Sequence, residues 1–92
     1  MKIIAIEIRN RGLRIGFRKT YEDHTHHEHT HYWKNQDGFD LTLRDALDVI
    51  KSDNPTVYMD EDFNDMREAL RLKTANLIST TSAGFLGLDS LR

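Results

Sequence analysis

All five histidines of this 92-residue chain fall within eight residues, as His24, His26, His27, His29 and His31. On an extended chain alternate residues share a face, so His27, His29 and His31 project together. Same-face neighbours on a strand stand about 7 Å apart. Two imidazoles at that spacing can converge on one ion at roughly 2.0–2.1 Å each. Glu22, Asp23 and Glu28 are nearby oxygen donors. The candidate ligand set is therefore His24, His26, His27, His29, His31 and Glu28. Imidazole with carboxylate suits zinc, nickel or copper more than calcium. His27-Glu28-His29-Thr30-His31 is not the helical H-E-x-x-H of metalloproteases, because its histidines are two apart. A catalytic zinc also needs an open position and a shaped pocket, and nothing in the sequence indicates a pocket. The competing readings are a solvated His-rich hairpin loop that requires no cofactor, and a contact surface that responds to pH.

Arginine is the second chemical signal. Lys2, Arg9, Arg11, Arg14, Arg18 and Lys19 stand against the single acid Glu7 in the first twenty residues, and the remainder is acidic. A guanidinium reads phosphate through its fork of donors, and a two-stranded ribbon can enter a DNA major groove. Against nucleic acid stand the net charge of −2 and the lack of aromatics interleaved with the arginines. The bipolar charge equally fits intramolecular attraction or pairing in a homodimer. Tyr32 and Trp33, beside the histidines, are core residues or anchors for a partner.

Other chemistry is excluded by type or spacing. With no Cys there is no disulfide framework, thiolate zinc site or Cys nucleophile. No Gly-x-Ser-x-Gly elbow occurs. Gly84-Phe85-Leu86-Gly87 lacks the phosphate-loop pattern and its Lys. Asp60-x-Asp62-x-Asn64 begins like a calcium loop, but Asp65 and Arg71 occupy the positions that need Gly and Glu. No apolar run is long enough for a membrane span. Met1–Arg9 alternates instead of forming a signal-peptide core.

The elements that must position these residues follow from periodicity. Ile4, Ile6 and Ile8 alternate, as do Leu13, Ile15 and Phe17, which predicts two strands. Placing both apolar rows on one face pairs Ile8 with Leu13, Ile6 with Ile15, Ile4 with Phe17 and Glu7 with Arg14, around a four-residue loop. A second register uses Arg11-Gly12 as a two-residue loop. Glu22–Glu28 reads as a polar strand end or loop, His29–Lys34 as a third strand, and Asn35–Gly38 as a turn. Thr42 begins a helix, with Asp45 completing a variant of the capping box. Leu43, Ala46, Leu47 and Ile50 form its apolar stripe, and Ser52–Pro55 stops it. Thr56–Met59 is a short β-prone piece, read as an edge strand. Asp60-Glu61-Asp62 opens the longest helix, with Phe63, Met66, Leu70 and Leu77 on one stripe and Ile78–Ser82 at its end.

The reading is an α+β domain of order β-β-β-α-(β)-α, an antiparallel meander of three or four strands with two helices packed on one face. It spans residues 1–82. Residues 83–92 form an apolar tail that docks or binds a partner through residues such as Phe85 and Leu88. The expected function is a non-enzymatic, cytoplasmic regulator or inhibitor that occupies a protein surface, of the kind phages and mobile elements encode. Its contact residues would be Arg9, Arg11, Arg14, Arg18, Tyr32, Trp33, Phe85 and Leu88. The alternatives are a divalent-metal module built on the histidines and a nucleic-acid binder built on the arginines.

Overall fold

The computed structural model describes residues 1–32 and 36–80, with Gln36 described by its backbone alone. Trp33, Phe85 and Leu88, and with them the expected apolar tail, lie outside the described residues.

Strands β1 (Ile3–Arg11) and β2 (Arg14–Tyr21) form an antiparallel hairpin with Arg11 opposite Arg14. Its two-residue turn is Gly12-Leu13. Gly12 has φ +78°, which suits the first central position of a type II′ turn, and its N–H donates to Asn10 Oδ1 at 2.9 Å. The observed register pairs Ile8 with Phe17, Ile6 with Lys19, Glu7 with Arg18 and Arg9 with Gly16. It replaces both registers expected from the apolar rows. Each candidate shifts the pairing by an even number of residues, so each keeps the rows on one face. Hydrophobic pattern alone cannot choose among them, and the tight glycine turn does. Leu13 consequently sits in the turn, 57% exposed, and not in the core.

Strand β3 (His26–Tyr32) pairs antiparallel with β2 and starts within the segment expected to be a loop. The turn before it is built by Asp23, which accepts from the Thr25 hydroxyl at 2.6 Å and its N–H at 3.1 Å, with His24 at φ 67°. These bonds, the hydroxyl's first, hold the Asp23 carboxyl below the ordinary value, because they favour its charged form.

Helix α1 (Gln36–Asp53) begins six residues before the expected Thr42. Thr42 is buried inside it, and its hydroxyl donates back to the Gly38 carbonyl at 2.9 Å, so Thr42 and Asp45 form no capping box. The expected Asn35–Gly38 turn is helical from Gln36. Gly38 is needed for another reason: a Cβ there would collide with the Tyr32 carbonyl. The helix stops where expected, at Asn54 with φ 47° followed by Pro55, a common termination.

Strand β4 (Thr56–Asp60) lies parallel to β1 and is not an edge. After helix α2 (Asn64–Arg71), strand β5 (Leu77–Thr80) adds parallel to β4. The long helix expected over this region is thus eight residues followed by a strand. Asp60 belongs to β4, and after Leu70 the chain turns, with Lys73 and Thr74 N–H groups both donating to the Leu70 carbonyl. Leu77 reaches the core as a strand residue, so its place on the apparent helical stripe is coincidental.

The sheet order is β3-β2-β1-β4-β5, and the class is α+β with a mixed five-stranded sheet. Ile6, Ile8, Ile15, Phe17, Val57 and Met59 from the sheet bury against Ala46 and Ile50 of α1 and Met66 and Leu70 of α2. Both helices therefore cover one face. No helix among the described residues is long and apolar enough to cross a membrane.

Substituting Gly38→Ala should destabilise the domain by roughly 1–3 kcal/mol, the usual cost of forcing volume into a packed contact. Leu13→Ala should stay within about 0.5 kcal/mol, as for an exposed site. Urea unfolding of the two variants checks both the α1 approach and the corrected register.

Candidate metal centre

The register brings His27, His29 and His31 to the helix-covered face of β3, opposite Lys19, Phe17 and Ile15 of β2. α1 crosses this face, and Asp45 points from it towards β3. His29 Nε2 lies 2.9 Å from Asp45 Oδ2, and His31 Nε2 lies 3.6 Å from the same oxygen. One donor atom from each residue falls within 4.8 Å of the other two. A tetrahedral ion with bonds of 2.0–2.1 Å places its ligand atoms about 3.3 Å apart. The two measured separations bracket that value. A small relaxation of side chains would seat an ion.

The local electrostatics carry the same message. A carboxylate can only accept, so His29 must present Nε2–H to Asp45. His31 Nε2 is buried from solvent and has no hydrogen-bond partner. A buried unsatisfied nitrogen costs free energy comparable to a lost hydrogen bond. A cation would satisfy it, His29 and Asp45 together. The imidazoles are held laterally by ring contacts: His29 packs on Phe17 at 5.3 Å between centroids and on His31 at 5.2 Å, nearly edge-on. The side chains are 32%, 27% and 37% exposed for His29, His31 and Asp45, so the group is partly covered and partly open to solvent.

The other sequence candidates separate from this group. His24, His26 and His27 are exposed and belong to no group of three donors among the described residues. Glu28 projects to the opposite face and grips Arg11 with two bonds, of 2.9 and 3.2 Å. Asp45 was not among the expected ligands. Its one visible signal is position: it borders Ala46 of the apolar stripe, where a helix meets the next layer.

The arginines occupy the face of the sheet opposite the helices. Arg11 pairs with Glu28, and Arg18 lies 3.7 Å from Glu7, its cross-strand partner. Arg9 and Glu7 are buried. Arg14 stacks on Tyr32, 4.3 Å from the ring centroid, and donates to the Tyr32 and Thr30 hydroxyls. The expected opposition of Glu7 and Arg14 is therefore a Glu7–Arg18 pair. Arg11 and Arg18 thus each face an acid, while Arg14 is held by an aromatic ring and two hydroxyls.

No family model matches the chain, and no curated protein or solved structure compared with it matches either.

In metal-free buffer, Asp45→Ala should cost about 1 kcal/mol, the net worth of one hydrogen bond. Chemical denaturation against the parent protein measures it. A neutral result would mean that the His29–Asp45 bond is not formed in solution.

Proposed function

We propose that this chain is a divalent-metal-binding α+β module whose centre is His29, His31 and Asp45. The convergence of two imidazole nitrogens and a carboxylate oxygen within 4.8 Å carries the reading. Zinc, nickel and copper fit the donor set best. The ion would join helix α1 to strand β3, through residues sixteen positions apart in the chain. Binding would then act as folding energy for the edge strand, since the ligands converge only in the folded chain. No catalytic step is part of this proposal.

The composition of β3 supports a stabilising role. Its sequence, HHEHTHY, contains no aliphatic residue. The helix-covered side of this strand is built of imidazoles where a sheet normally presents Val, Ile or Leu. Hydrophobic burial alone therefore contributes little to holding it.

A second reading retains the surface-occupying regulator. Its support is that β3 and β5 are the two outer strands among the described residues, and strand edges are ready templates for a partner chain or a second copy. Tyr32 is 51% exposed at the β3 edge.

Zinc at about 100 times its dissociation constant should stabilise the protein by about 2.7 kcal/mol. For a domain of this size that is on the order of 10–20 °C in melting temperature, reversed by EDTA. His29→Ala, His31→Ala and Asp45→Ala should each abolish most of the shift, whereas His24→Ala and His26→Ala should leave it intact. Calorimetric melting with and without zinc is the measurement. Unchanged melting of the parent protein in zinc would remove the metal reading, and an equal effect of all five substitutions would return the cluster to a solvated, nonspecific chelator.

A further inference from the structure

The proposed centre offers three protein donors, and no fourth His, Asp or Glu atom joins the group among the described residues. Zinc sites that act only as structure are closed by four protein ligands, while sites that exchange ligands keep a position open. Two observations bear on where a further ligand could enter. The three side chains are 27%, 32% and 37% exposed for His31, His29 and Asp45. β3 is also the first strand of the sheet order, so no described strand lies beyond it. The two imidazoles rise from β3 and the carboxylate reaches them from α1, and the partial exposure of all three leaves part of an ion's surroundings to solvent.

Charge selects what would enter. Neutral imidazoles leave a divalent ion's charge untouched, and Asp45 is the single anionic donor of the group. The complex keeps one net positive charge at a solvent-facing position. Carboxylate oxygen is a regular zinc donor. Resting on the metal reading above, we infer that the ion held by His29, His31 and Asp45 keeps a coordination position open to solvent, and that a small monodentate anion of the carboxylate type occupies it.

Cobalt(II) separates this inference from the reading it rests on. The full chain is loaded with cobalt, freed of excess by gel filtration, and titrated with acetate and, in parallel, azide, while visible absorption is followed. The expected result is a saturable shift of the cobalt bands with each anion at unchanged cobalt content, and loss of cobalt retention in His31→Ala. Full cobalt retention with bands that neither anion moves would overturn the open position and leave the metal centre standing. Failure of the parent chain to retain cobalt, nickel or zinc would overturn the metal centre and the open position together. Release of cobalt by the anions without a preceding spectral shift would also overturn the inference, because the anion would then be competing with the protein and not joining it.

Discussion

Helix α1 leaves the outer strand β3 and must carry the chain across β2 and β1 before β4 can pair with β1 on its free side. Everything at the candidate site follows from that crossing. β3 and β4 run parallel, as do β4 and β5, so each connection is a parallel crossover with a strong preference for the right hand. Both connections step in the same direction through the order β3-β2-β1-β4-β5. The same hand then lays both helices on one face, as the shared core of Ala46, Ile50, Met66 and Leu70 requires. The crossing starts close to the sheet, because Gly38 sits against the Tyr32 carbonyl where any Cβ would collide. An approach this close brings a helix residue two turns further on, Asp45, within hydrogen-bond reach of His29.

Strand parity supplies the other half of the geometry. The period of two puts Ile15 and Phe17 on the covered face of β2 and, through the observed register, His31 and His29 beside them on β3. The same parity sends Glu28 to the far face, where it meets Arg11. One alternation therefore sorts the donors of the histidine run into two groups with different jobs. Of those facing α1, His29 and His31 converge on a carboxylate, and His27 stays exposed. Glu28, on the other face, ties the β1–β2 turn region to the edge strand. Surface pairs of that kind contribute little individually, and Arg11–Glu28 and Arg14–Tyr32 both act across strands on that side.

How much of this was legible from the residues alone depends on the range of the signal. The alternation of Ile6, Ile8, Ile15 and Phe17, the stripe of Ala46 and Ile50, and the stop at Asn54-Pro55 are local, and each stands in the structure. The hairpin register was not legible, because slips by an even number of residues preserve the hydrophobic face and only the Gly12 turn discriminates among them. Nor was β5, whose Leu77 continues the helical spacing of Phe63, Met66 and Leu70 while pairing with Val57 of β4. The site was half legible. Spacing within one strand identified His29 and His31, but Asp45 comes from a helix sixteen residues away from His29, and no sequence period links the two. Its resemblance to a capping residue even assigned it a different task, because the helix start was placed at Thr42.

The histidines in turn explain what would otherwise be a weak point in a small domain. The apolar core ends at β2: beyond Phe17 the covered face continues with imidazoles alone. Imidazole is a poor substitute for an aliphatic side chain in burial, and an unpartnered ring nitrogen such as His31 Nε2 makes it worse. Opening of a strand held mainly by its backbone ladder requires less free energy than global unfolding. A ligand that binds only the assembled arrangement reduces that difference by an amount that grows with the logarithm of its concentration above the dissociation constant. Under the metal reading proposed above, the placement of His29 and His31 would exchange constant hydrophobic stability at the edge of the sheet for stability that depends on an ion, and the edge strand would be the part of the fold on which metal availability acts.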